Sequence, residues 1–191
     1  MHRMKSFLFG LALLPFSLFA QSQDYMELLL IAEIASDSTY ASLGLCDRSY
    51  QDLEDCNYED GRDMVQLSLI LSDDAYRQAS LGFESARSAY KIAKKKRCPE
   101  AKEKCDIALE QLRFARQEID EAKQLIVQIE RQWIIINEGR YTDSFNELRF
   151  GWVDGPKDYY VNTARLAILS TYDHLKLAKI AIEEAELIMC D

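Results

Sequence analysis

Three long stretches of this chain return to a small residue at every seventh position, and few folds can accommodate that pattern. Val65, Leu69, Ser72, Tyr76, Ala79, Phe83, Ala86, Tyr90 and Ala93 fall at alternating spacings of four and three. Ala101, Cys105, Ala108, Leu112, Ala115, Ile119, Ala122, Ile126, Ile129, Trp133 and Ile136 repeat it. So do Val161, Ala164, Ile168, Thr171, Leu175, Ala178, Ile182, Ala185 and Met189. A 3.5-residue period sustained this long belongs to a helix with one buried seam. In each run one seam position is small and the other large, which brings helix axes toward the short end of the usual ~8 to 10 Å range. A first helix, roughly Asp24 to Leu45, is shorter and less regular, with Leu28, Ile31, Ala32, Ala35 and Leu45 on its apolar side. The expected fold is all-α: an antiparallel up-down-up-down four-helix bundle with Ala-rich heptad seams and a long central helical hairpin.

The stretch KIAKKKRCPEAKEKC, residues 91 to 105, looks at first like a nucleic-acid patch or a metal site. Register argues for a turn. Continued past Ala93, the second seam would mark 97, 100 and 104, whereas the third marks 98, 101 and 105, a slip of one residue at Pro99. Proline suits the first position of a helix. Glu100 and Glu103 lie near that helix's positive end, and Lys94, Lys95, Lys96 and Arg97 close the preceding helix at its negative end.

The N-terminus reads as an export signal: Arg3 and Lys5, an apolar run from Phe7 to Phe19, then Ala20 as the expected cleavage residue. The run is shorter than the ~20 apolar residues a spanning helix needs. Residues 1–20 are therefore expected to be a signal peptide and 21–191 a single domain, periplasmic or secreted, with no membrane span after cleavage. Loss of Arg3 and Lys5 takes the formal charge from −9 to −11. Such a chain is repelled by nucleic acid and by anionic lipid.

Five cysteines in an oxidising compartment imply disulfides with one thiol left over. Cys98 and Cys105, seven apart on one helix, are separated by about 10 Å along its axis, too far to pair. Placing the first helix's end at Leu45 puts Cys46 and Cys56 in one loop. Helix lengths bring Cys190 level with Cys105. The expected disulfides are Cys46–Cys56 and Cys105–Cys190, with Cys98 free or linking two chains as a covalent dimer.

Catalytic and metal motifs find little support. The acidic segment 47–63, read as a loop, fails as an EF-hand: Asp60 stands where glycine is required and Gln66 where the bidentate glutamate belongs. After the leader His174 is the single histidine, so a di-iron site built on two Glu-x-x-His pairs is excluded. No catalytic residue, cofactor or metal is expected. The long connection 137–160 contains an S-x-x-E capping box at Ser144 and Glu147 and is rich in aromatics. Tyr141, Phe145, Phe150, Trp152 and Tyr159, with Tyr58 from the acidic segment, are the candidate partner-binding residues, and the alternative is that some fold inward as a lid. The functional expectation is an exported, non-catalytic interaction or ligand-binding bundle that recognises a protein or small ligand at the end formed by the 46–63 and 137–160 loops. The competing readings are a carboxylate-based metal-binding protein or hydrolase, and a structural spacer or oligomer subunit.

Overall fold

The computed structural model describes residues 14–55, 61–137 and 156–188, with side chains described over 26–53, 63–131 and 159–188. Four helices account for them: α1 (Leu14–Asp55), α2 (Gly61–Lys95), α3 (Pro99–Asn137) and α4 (Pro156–Glu186). Each packs against its neighbours in a ring, α1 on α2, α2 on α3, α3 on α4 and α4 back on α1. This is the expected up-down four-helix bundle. Its antiparallel order puts the ends of α1 and α3 and the starts of α2 and α4 at one end of the bundle.

Helix α1 is longer than its apolar pattern suggested. Its buried seam is Leu28, Ala32, Ala35, Thr39, Ser42, Cys46, Ser49 and Leu53, a heptad as strict as the others but filled midway by hydroxyls and a thiol. Ser49 and Leu53 are fully buried, so the helix is held to Asp55 and most of the acidic segment expected as a loop is helical. Its partner face on α2 is also small throughout: Ser68, Ser72, Ala75, Ala79, Gly82, Ala86, Ala89 and Ala93. Half of the expected α2 seam is thus displaced by one residue. Leu69, Tyr76, Phe83 and Tyr90 stand beside the seam, half-buried.

Because so little side chain separates α1 from α2, hydroxyls reach across. Ser42 donates to the Ala75 carbonyl at 2.8 Å, and the Ser49 hydroxyl lies 2.8 Å from those of both Ser68 and Ser72. Ser68 in turn donates to the Ser49 carbonyl at 3.1 Å. Thr39 satisfies its own hydroxyl on Ala35 O at 2.7 Å. Every one of these buried polar groups has a partner, as burial demands. Gly82 sits at a close approach: a Cβ there would lie 2.9 Å from Thr39 Oγ1 and 3.4 Å from Ala35 O. The α3 and α4 seams instead alternate alanines with Leu112, Ile119, Ile126, Ile129, Ile168, Leu175 and Ile182, all buried.

The reversal at Pro99 is present. Arg97 adopts a left-handed φ of 58°. Cys98 N donates to Ala93 O at 3.0 Å and Arg97 N to Lys94 O at 3.3 Å, the paired bonds of a Schellman motif. Lys102 N then donates to Cys98 O at 3.0 Å, so Cys98 caps α3 with Pro99 at its first helical position. One residue both leaves one helix and starts the next.

That geometry revises the cysteines. Cys46 and Cys105 are free, buried thiols, and Cys98 is disulfide-bonded. Cys46 lies mid-seam, buried, because α1 runs on past it to Asp55. Cys105 packs among Leu28, Ala89 and Ala185, whereas Ile188, beyond the end of α4, packs on Ala93, Cys98 and Ala101. The chain after α4 therefore climbs one level further than expected, to Cys98 instead of Cys105. The partner of Cys98 is outside the described residues, as are Cys56 and Cys190. Cys98 is therefore not a free thiol.

Candidate functional site

Apart from the hydroxyls buried in the seams, the polar contacts among the described residues lie on the helix flanks. Along the α2–α3 flank the displaced aromatics are roofed by cations: Lys102 lies 5.1 Å from the Tyr90 ring centroid, Arg116 5.0 Å from Phe83 and 5.5 Å from Tyr76, and Lys123 5.1 Å from Tyr76. Lys123 also donates to Asp73 at 2.6 Å, which holds that carboxyl below its ordinary range. These contacts seal one long edge with aromatic faces and snorkelling stems.

His174 and the free cysteines among the described residues are engaged or neutral. His174 Nδ1 is 2.8 Å from Gln111 Oε1, and its ring stacks on Phe114 with centroids 5.3 Å apart. Burial pushes the Cys46 thiol up to about 12 and the Cys105 thiol to about 11, so neither supplies thiolate near neutral pH. Among the described residues no three His, Cys, Asp or Glu side chains gather as metal ligands would.

The α1–α4 side is different. Near the loop end, Arg165 donates to the Tyr50 hydroxyl at 2.7 Å while lying 4.7 Å from that ring's centroid. Below it the two helices part into a groove of about 730 Å³ lined by Tyr40, Ala41, Leu43, Gly44, Asp47, Tyr172, Lys176, Lys179 and Ile180. Lys176 sits over Tyr172 at 4.7 Å and Lys179 over Tyr40 at 5.8 Å. The glycine and alanine of α1 open this groove because they leave its outer wall low.

Beside the groove, and sharing Ile180 with it, α4 carries large apolar side chains on the face turned away from the core. Tyr159 is 67% exposed, Leu166 65%, Leu169 44%, Leu177 52%, Ile180 52% and Leu187 83%. Met26, Leu30, Ile34 and Tyr40 of α1 are exposed as well. The equivalent outward positions of α3 are Glu103, Glu110, Gln117, Gln124 and Arg131, all exposed and polar. Leu67, Ile70 and Leu81 of α2 and Ile107 of α3 are exposed too, but the longest row of exposed apolar side chains among the described residues is that of α4, and such a row is the usual mark of an interaction face.

Of the aromatic residues expected at the partner-binding end, Tyr159 is described: it is exposed and meets Tyr160 edge-on, with centroids 5.6 Å apart. Tyr58, Tyr141, Phe145, Phe150 and Trp152 lie outside the described residues. Sequence reasoning missed the outer face of α4 because its apolar residues fall between the seam positions, where only a second, non-core periodicity would have exposed them.

One helix among the described residues, α1 over Met26–Leu53, is apolar and long enough to cross a membrane by length and composition. Its position near the N-terminus is compatible with a signal sequence or a membrane anchor. No protein-family model and no curated protein matches the chain.

Proposed function

We propose that this chain is an exported, periplasmic or secreted interaction module without catalysis. Its recognition surface runs along the outer face of α4 up to the bundle end that holds the close of α3 and the start of α4, the end expected to carry the 46–63 and 137–160 recognition segments. The observation that carries this reading is the row of exposed Tyr159, Leu166, Leu169, Leu177, Ile180 and Leu187, set against the outer face of α3, which is polar but for Ile107. Leaving such residues in water forgoes roughly 1.5 to 3 kcal/mol for each that could be fully buried, a gain open to a partner. The neutral thiols and the engaged His174 favour binding over chemistry.

Site-specific photocrosslinking in the native envelope tests it. A photoreactive residue at Tyr159 or Leu177 is expected to give discrete adducts, and the same residue at Gln117 on α3 none. Adducts from Gln117 alone, or from neither helix, would remove the basis for the proposal.

A further inference from the structure

The exposed apolar residues of α4 are arranged symmetrically about Asp173. Leu169 and Leu177 lie four residues to either side, Leu166 and Ile180 seven, and Tyr159 and Leu187 fourteen. A helix that reads the same in both directions is self-complementary when a second copy lies antiparallel to it across a two-fold axis. Resting on the reading of this face as an interaction surface, we infer that its partner is a second copy of this chain. The two α4 helices cross antiparallel at Asp173, so that Leu166 meets Ile180, Leu169 meets Leu177 and Tyr159 meets Leu187 of the other copy.

Charge fits the same register. Asp173 and Lys176 are both exposed on this face, one turn apart. In the two-fold arrangement the two Asp173 carboxylates approach each other at the axis, and Lys176 of each copy comes within reach of Asp173 of the other. Two reciprocal ion pairs thus offset the like-charge contact. A parallel pairing, or a shift of one heptad, sets Leu166 or Leu187 against polar residues or open solvent. The six side chains offer on the order of 600 Å² per copy, and Met26 and Leu30 of α1 extend the patch beyond Leu187 toward the ~800 Å² per partner of a standard interface.

Sedimentation velocity on the purified chain at micromolar concentration tests the association, and engineered cysteines test its register. The chain is expected to sediment as a dimer. Leu166→Glu combined with Ile180→Glu is expected to give monomer with unchanged helical circular dichroism, since both positions face away from the core. Asp173→Cys should form a disulfide-linked dimer under mild oxidation and Gln117→Cys should not; mixed Leu166→Cys and Ile180→Cys chains should cross-link to each other more readily than either does to itself. A monomer at tens of micromolar, or self-linking of Leu166→Cys, overturns the inference. The two readings fail separately: photoadducts of a mass other than twice the chain sink the self-pairing and leave the interaction module standing, whereas absence of α4 adducts sinks the module itself.

Discussion

The α1–α2 and α3–α4 interfaces solve the same packing problem with opposite materials. Between α3 and α4, buried isoleucines and leucines interlock with alanines, and cohesion comes from apolar area. Between α1 and α2 the facing surfaces are mostly Ser, Thr, Ala and Gly, with Cys46 in their midst and Leu28, Leu53 and Val65 toward the ends. There is little side-chain area to bury, so cohesion comes from close backbone approach and from hydroxyls that satisfy one another across the seam. The first interface tolerates polar neglect but not voids. The second tolerates neither added volume nor a broken hydrogen-bond set.

The comparison is tested most severely by truncation on the apolar side. Ile119→Ala is expected to cost about 3 kcal/mol in denaturant unfolding, because Ile119 is fully buried and the surrounding helices cannot collapse onto the gap. A loss under 1 kcal/mol there would mean that α3–α4 is loosely packed. On the small side the damaging change is enlargement. Gly82→Val is expected to cost about 2 kcal/mol, since its Cβ alone would press on Thr39 and on the α1 backbone. Gly44→Ala, where nothing lies within 4 Å, should instead stabilise by up to about 1 kcal/mol through helix propensity. Equal effects at the two glycines would show that the close approach at Gly82 is not a constraint.

The hydroxyl cluster distinguishes net from marginal contributions. Ser49→Ala deprives Ser68 and Ser72 of a buried partner and is expected to cost about 1 to 2 kcal/mol. Replacing Ser49, Ser68 and Ser72 together by alanine removes every group that would be left unsatisfied, and should cost less than the single change. If the triple variant is the sum of three singles, the cluster contributes favourable energy in its own right.

The same contrast explains what could be read from the sequence. Alanine and isoleucine seams in α3 and α4 are visible because apolar residues alone mark the heptad. The α1 seam was illegible past Ala35 because Thr39, Ser42 and Ser49 count as polar in any hydrophobic pattern, although each is fully buried. In α2, Tyr76, Phe83 and Tyr90 outweigh Ala75, Gly82 and Ala89 in hydrophobicity, yet the smaller residues took the core because only they allow α1 so close. The aromatics found cations from α3 instead. The turn at Pro99 was legible from register and charge. Its use of Arg97 at a left-handed position was not, because glycine is the ordinary occupant. Arg97→Gly is accordingly expected to stabilise the chain by about 0.5 to 1 kcal/mol in thermal unfolding, relief of the left-handed cost outweighing the added chain entropy. A destabilised variant would indicate that the Arg97 side chain makes a compensating contact.

The smallest effect comes where α4 meets the two hairpin types at once. Toward α3 its last turns are drawn in by Lys104, which contacts Glu184 at 2.6 Å. Toward α1 they are repelled: the Glu186 carboxyl is held above its ordinary 4.5 by burial first, then by Glu183, Glu33 and Asp37, against a lowering pull from Lys179. Its Oε1 is buried without a hydrogen-bond partner among the described residues. A carboxyl whose folded pKa exceeds its unfolded value holds its proton more tightly in the folded state. Its favourable contribution is therefore complete below pH 4.5 and fades as pH rises through the folded value. Asp73 is lowered and acts oppositely, losing its contribution as pH falls, but it is common to both proteins in a variant comparison. Glu186→Gln should raise stability at pH 7 by about 0.5 kcal/mol and leave it nearly unchanged at pH 4, so the gap between variant and parent widens with pH. A gap that is constant across that range would show that the repulsion between α4 and α1 is fully screened, and that the α1–α4 side is open for steric reasons alone.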